Sequence, residues 1–447
     1  MRLGRIVLIV LALVAVAAIG VAGWFATGSR PVSFAGGRTV TLADYKGPSP
    51  TGVPADFAST DPIARGQYLA RAADCQACHT AKGGAPFAGG LAFNLPFGSI
   101  YSPNITPDKE TGIGGWSDAQ FLRALHQGAG PKAHLYPAMP YASYTYMTDA
   151  DALAIRAYLA TLPAVHEQRP PSTFGFPYNQ RSLMSVWGKL FNPDQRFRPH
   201  PDRSPQWNRG AYLAEAMAHC GDCHTPRNLA QALDNRQKYA GAVAAGWKAY
   251  NITGHRLSGV GAWNDAELTQ YLATGHAAGR GVASGPMGEA VDLSFSHLTP
   301  SDIAALVTYL RTIPAIASAD QPTPLQRLAP ATHRQGVAVA GDPKGKRIFE
   351  GACASCHSWT GQGSLTPFAT LTGVRSVNDP TATNVAQMVI SGSNRRTGSG
   401  LNYMPAFGRA YTDDEVAAVA NYVTARFGAQ PSKVTPKQVS ELRKAAS

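Results

Sequence analysis

Residues 65–80 read RGQYLARAADCQACHT, and their last six, Cys75 to Thr80, decide what kind of protein this is. Alone, those six fit half a zinc site, a redox-active cysteine pair or a cofactor tether. The other cysteines narrow the choice. All 6 Cys fall in three pairs, each followed at once by histidine: Cys75-Gln-Ala-Cys78-His79, Cys220-Gly-Asp-Cys223-His224 and Cys353-Ala-Ser-Cys356-His357. With 12 His in 447 residues, a histidine in that slot three times by chance has odds of about one in fifty thousand, and the pattern is the c-type haem attachment signature. Two thiols three residues apart lie on one side of a helical turn and reach the two vinyl groups on one edge of a haem. The adjacent imidazole then faces the iron as proximal ligand, and its other ring nitrogen is expected to hold a backbone carbonyl. A zinc ribbon needs two pairs roughly 15 to 20 residues apart, whereas these lie more than a hundred residues apart and the third has no mate. A thioredoxin-like pair follows a strand, and these sit in Ala-, Tyr- and Leu-rich helical sequence.

The flanks repeat as well. RGAYLAEAMAHCGDCHT, residues 209–225, matches 65–80 apart from one inserted residue, and GKRIFEGACASCH, residues 345–357, is a looser copy. Downstream, NITPDKETGIGGWSDAQFLRALHQG from Asn104 aligns with NITGHRLSGVGAWNDAELTQYLATG from Asn251. Ser117 and Asn264 read as N-caps of the helices that follow. Copies of this length mean three modules of one fold.

An iron held by one histidine takes a sixth ligand unless it binds substrate, and in electron-transfer cytochromes that ligand is commonly methionine. Of 8 Met, three stand at matching places: Met139 in LYPAMPYASY, Met287 in ASGPMGEAV and Met404 in LNYMPAFGRA. Met287 lacks the Met-Pro pair of the other two. Each precedes a helix capped by threonine (Thr148, Thr299, Thr412) with acids in its first turn and an aromatic on its core face (Tyr158, Tyr309, Tyr422). The assignments are therefore His79/Met139, His224/Met287 and His357/Met404, with His126, His134 and His276 as alternative distal ligands and loop or surface histidines by default. The remaining methionines, Met147, Met184, Met217 and Met388, are better explained by packing.

Composition sets the frame. The 44% hydrophobic residues can build cores, while 45 Gly and 33 Pro imply long ordered loops between short helices. The net charge of +12 is scattered, with no Lys/Arg run of the kind that binds nucleic acid. Arg2 and Arg5 precede an apolar run from Ile6 to Phe25, long enough to span a membrane with the rest of the chain exported. Small residues at 18–23 leave a cleaved leader open. Residues 166–203 are too aromatic for a free linker. Within them 183–191 reads as a short amphipathic helix, packed on the core in preference to lying on a membrane. No nucleotide-binding fingerprint or nucleophile motif is present.

These motifs, with the YSPNITPD…GIG…WSDAQF block, the LYPAMPY loop and CGDCHTPRN, resemble the triple-haem cytochrome c subunit of bacterial membrane-bound, quinone-linked alcohol and aldehyde dehydrogenases, and the cytochrome subunits of gluconate, sorbitol and fructose dehydrogenases. The expected fold class is mainly α, three tandem cytochrome c-type domains after an N-terminal hydrophobic helix. The expected boundaries are 1–30 anchor or signal, 55–165 first domain, 166–203 packed linker, 204–316 second domain, 317–340 linker, 341–427 third domain and 428–447 tail. The resemblance implies three covalent haem c groups and no catalysis by this chain alone. It further implies electron transfer from a separate catalytic subunit (of molybdopterin, pyrroloquinoline quinone or flavin type) to ubiquinone or a terminal oxidase, at the periplasmic face of the inner membrane. The alternative is a peroxidase-like haem enzyme with one open or displaceable axial site, for which Met287 is the weakest point. A structural zinc or disulfide protein is the third reading.

Overall fold

Each repeat opens on a helix that carries a glycine where it crosses the repeat's closing helix. The pairs are Pro62–Ala72 with Asp149–Leu159, Pro205–Tyr212 with Pro300–Leu310, and Pro343–Ile348 with Asp413–Phe427. A Cβ on Gly66 would stand 2.1 Å from the Ala154 carbonyl oxygen, one on Gly210 2.0 Å from that of Ala305, and one on Gly345 2.1 Å from that of Ala418. Only glycine admits so close an approach of two backbones. The closing helices start where their sequences say. Thr148, Thr299 and Thr412 accept hydrogen bonds from the N–H groups of Asp151, Asp302 and Glu415, and Ser117 and Asn264 form capping boxes with Gln120 and Glu267.

This architecture is that of a computed structural model, which describes residues 35–95, 97–318, 342–398 and 400–446, with scattered positions between 9 and 23. The first two repeats share one continuous core, built on Leu69, Met147, Ile155, Tyr212, Met217, Leu306 and their neighbours, while the third has its own around Phe349, Val419 and Val423. The shared core is closed by an exchange of tyrosines. Tyr68 of the first repeat donates to Asp302 of the second at 2.5 Å and accepts from the Thr299 N–H. Tyr212 of the second donates to Asp151 of the first at 2.5 Å and accepts from the Thr148 N–H. The contacts are reciprocal, and each hydroxyl docks on the cap of the other repeat's closing helix. Arg209 completes one of them with a two-pronged ion pair to buried Asp302. Tyr68→Phe and Tyr212→Phe are each expected to cost about 1–3 kcal/mol in urea unfolding, since each removes a hydrogen bond to a buried charged carboxylate.

Two parts of the expected fold class are corrected. No helix among the described residues is long and apolar enough to cross a membrane. Ile9, Leu11, Leu13, Val16 and Ile19 are helical and exposed, and the rest of the expected span lies largely outside the described residues. Nor is the fold mainly α, since helix makes up 42% of the described residues. The apolar period of the helices was read correctly, but it occupies only the crossing pairs and a few short helices. Among the described residues the Gly- and Pro-rich stretches between them form irregular loops and four two-stranded antiparallel hairpins.

Residues 166–203 pack over both early repeats. Phe174 is buried with Ile100 and Tyr136, Phe197 enters the shared core, and the Trp187 indole donates to the Ala230 carbonyl. The helix Leu183–Phe191 has no fully buried residue; one face packs, with Met184 against the Ile100, Tyr136 and Phe174 cluster and Trp187 against Tyr141, while Leu183, Val186 and Leu190 form an exposed stripe along it. Most of 317–340 lies outside the described residues. The tail forms the helix Pro436–Ala446, strapped to the third repeat by Val439 in its core and by Arg443 on Asp413.

Candidate functional site

The first two Cys pairs each sit on one short helical turn, Cys75–Cys78 and Cys220–His224; in the third, Cys353 closes the π-helical turn Phe349–Cys353 and Cys356 lies on the turn Ala354–His357 that follows. A π-helical turn leads to the cysteines in the second repeat, Leu213–Met217, and in the third, Phe349–Cys353. Asp74 and His219, at the entry to the first two turns, take positive φ of 51° and 36°. All three histidines are held alike. Nδ1 lies 2.8 Å from the Pro103 carbonyl oxygen in His79, 2.6 Å from that of Tyr250 in His224 and 2.6 Å from that of Ala369 in His357. A carbonyl only accepts, so Nδ1 carries the proton and Nε2 keeps its lone pair for a metal.

The repeated NIT block has a matching task. Asn104 and Asn251, just after the carbonyls of Pro103 and Tyr250, each accept from the N–H two residues on. Each also donates to the chain leaving the closing helix, at the carbonyls of Val165 and Ile316. The carbonyl that orients each of these two histidines is thereby fixed to the crossing helices.

Burial disfavours the thiolate at five of the cysteines. All six are free of disulfides. Burial pushes Cys75 and Cys220 up to about 12 and Cys223 and Cys353 to about 11, and raises Cys78 beyond that. Reactive cysteines need the opposite shift. Asp74, buried beside Glu289 with one carboxyl oxygen unpartnered, is pushed up to about 7. Among the described residues no group of three or more His, Cys, Asp or Glu is arranged to hold a metal ion.

The first two attachment turns lie side by side. Ser143 of the first repeat donates to Asp222 in the second motif, and Tyr144 packs edge-on against His219 and donates to the Ala73 carbonyl. Cys75, Cys220, Met139 and Met287 all pack against the shared core. In the third repeat Cys353, Cys356, His357 and Met404 line one cleft of about 1230 Å³, part of it open to solvent, walled by apolar side chains such as Phe349, Leu371 and Val385. Its donor set of two thiols, an imidazole and a thioether fits a covalently tethered haem. Met388, expected as packing, lines the same cleft.

The three methionines stand on different local structures: Met139 in a loop, Met287 in the first turn of the helix Pro286–Leu293, and Met404 at the end of the strand Gly400–Met404. Of the alternative ligands, His126 is buried with its Nε2 unpartnered, and burial lowers it to about 4. His276 packs on Phe368 at 5.2 Å, and His134 lies in a loop. Sequence reasoning missed Glu215, which is buried beneath the second motif and accepts from Lys238, Tyr239 and Tyr309. It also missed Arg395 in the wall of the third cleft, paired with Asp292 of the second repeat. Both depend on partners from distant sequence, so no local pattern marks them.

A paired-cysteine turn with a carbonyl-oriented histidine, in a wall of crossing helices, defines the cytochrome c class. The profile of the cytochrome c family matches residues 63–163 and 343–426. Among similar proteins, the fructose dehydrogenase cytochrome subunit of Gluconobacter japonicus is 38% identical over 85% of this chain and 82% of its own length. The gluconate 2-dehydrogenase cytochrome c subunit of Pantoea cypripedii is 36% identical over 87% and 91%. The cytochrome c subunit of the quinone alcohol dehydrogenase of Gluconacetobacter polyoxogenes is 31% identical over 85% and 84%. The chain belongs to this family, the cytochrome c subunits of dehydrogenase complexes. It is an electron-transfer subunit carrying haem c, with no catalysis of its own.

Proposed function

We propose that the chain carries three covalent haem c groups, one for each of the domains 55–165, 204–316 and 341–427. In this reading it relays electrons from a catalytic dehydrogenase subunit to ubiquinone at the periplasmic face of the inner membrane. The observation that carries the reading is the threefold recurrence of one local arrangement, a cysteine pair followed by a histidine whose Nδ1 is spent on a backbone carbonyl. Cys75, Cys78, Cys220, Cys223, Cys353 and Cys356 hold the groups covalently, and His79/Met139, His224/Met287 and His357/Met404 flank the irons. The bound groups supply one-electron storage. The protein fixes their spacing, axial donors and exclusion from water.

The named relatives serve fructose, gluconate and alcohol dehydrogenases, so the catalytic partner is a periplasmic sugar, sugar-acid or alcohol dehydrogenase. The membrane reading is supported by the exposed stripe of Leu183, Val186 and Leu190, flanked by Arg181 and Lys189, in a stretch 168–193 that holds no acidic residue.

Met404→Ala tests the ligand assignment against the haem-enzyme alternative. It is expected to lower the potential of one haem of the three and to let the reduced chain bind carbon monoxide at that haem, whereas the parent chain binds none. Stoichiometric carbon monoxide binding by the parent would instead favour an open catalytic iron.

A further inference from the structure

The three histidine sites are alike within their repeats, and one differs in what stands beyond it. The carbonyl that orients His224 belongs to Tyr250, and the ring of Tyr250 is covered by a residue of the third repeat: the Arg375 guanidinium lies 4.8 Å from its centroid. Arg375 is anchored on the second repeat throughout. Its backbone N–H donates to the Arg280 carbonyl at 3.1 Å, and its guanidinium donates to the carbonyls of Ser258 and Gly259. Beside it Lys248 lies 6.0 Å from the same ring and pairs at 3.2 Å with Asp379, again of the third repeat and 1% exposed. Asn384 ties the two repeats further, accepting from the Lys248 N–H at 2.8 Å and donating to its carbonyl at 2.9 Å. The cluster over Tyr250 therefore holds two cations and one anion at a largely buried seam.

The cluster stands one peptide away from the imidazole, because the Tyr250 carbonyl lies 2.6 Å from His224 Nδ1; the carbonyls that hold His79 and His357 belong to Pro103 and Ala369, which have no aromatic ring for a guanidinium to cover. A haem gives up one unit of positive charge when it is reduced, so a nearby fixed cation favours the reduced form, the more so where water is scarce.

We propose that Arg375 is a positioning residue that the third repeat supplies to the second, raising the reduction potential of the haem held by Cys220, Cys223 and His224. This rests on the three-haem reading above. The repeats are otherwise close copies, so docking of the third on the second breaks their symmetry and separates the second potential from the first.

The test is spectroelectrochemical titration of the full chain, with the second haem identified as the component missing from a His224→Ala chain and the total counted by pyridine haemochrome. Arg375→Gln is expected to lower the second potential, so that at the parent's midpoint the reduced-to-oxidised ratio of that haem falls roughly three- to tenfold, with the other two unmoved. Arg375→Lys is expected to restore most of the shift. Asp379→Asn, which removes the anion, is expected to move the same haem in the opposite direction and decides the question should the Arg375→Gln chain not fold. An unmoved second potential, or all three moving together, overturns the proposal. A parent chain with fewer than three haems overturns the three-haem reading itself, and the proposal with it.

Discussion

A His224→Ala chain is expected to carry one haem fewer than its parent, lowering pyridine haemochrome absorbance to about two thirds, and to lose electron transfer between donor and acceptor. His224 is the side chain whose Nε2 is left available once Nδ1 is committed to the Tyr250 carbonyl. It also stands beside the attachment turn of the first repeat, whose Tyr144 packs against the neighbouring His219. The loss should therefore spread. The two early repeats share one core, and a void against Cys220 and Met287 removes packing from both, so the whole of residues 55–316 should unfold at lower urea concentration. A variant of unchanged haem content would remove His224 from the site.

Gly210→Val is expected to be the most destabilising single substitution in the second repeat, costing about 4 kcal/mol or more. Its Cβ would lie 2.0 Å from the Ala305 carbonyl oxygen and 2.8 Å from the Tyr309 Cβ. Both are on the closing helix, one of them backbone, so rotation of a side chain gives no relief. Moving the helices apart would pull Tyr309 from the buried Glu215 and Arg209 from Asp302. Gly351→Ala is the control. It too is helical, but a Cβ there meets nothing within 4 Å, and the change should stay within about 0.5 kcal/mol. Urea unfolding of the two variants separates loss of the crossing from the general effect of filling a glycine.

What could be read from the sequence was local or repeated. The CxxCH turns, the threonine caps at Thr148, Thr299 and Thr412, and the capping boxes at Ser117 and Asn264 depend on residues three or four apart, and they stand where their spacing places them. The repeat also marked Gly66, Gly210 and Gly345, whose purpose appears only once the partner helix is in place. The exchange of Tyr68 and Tyr212 between repeats was not legible, because each tyrosine also reads as an ordinary core residue of its own helix. Arg375 over Tyr250 lies beyond any local pattern for the same reason, since the contact joins residues more than a hundred apart. The N-terminal apolar run misled in another way: hydropathy measures length and composition, and no described helix meets the requirement for a span. Helix content was overestimated because periodicity reports only the segments that have it, and the loops that carry the carbonyls of Pro103 and Tyr250 have none.

The most direct measurement is the number of covalent haems per chain, obtained by intact mass of the denatured protein together with a pyridine haemochrome assay on the same sample. Three per chain, falling to two when both Cys353 and Cys356 are replaced by alanine, is the predicted result. Two or fewer on the parent chain, or a mass equal to that of the polypeptide alone, would contradict the account.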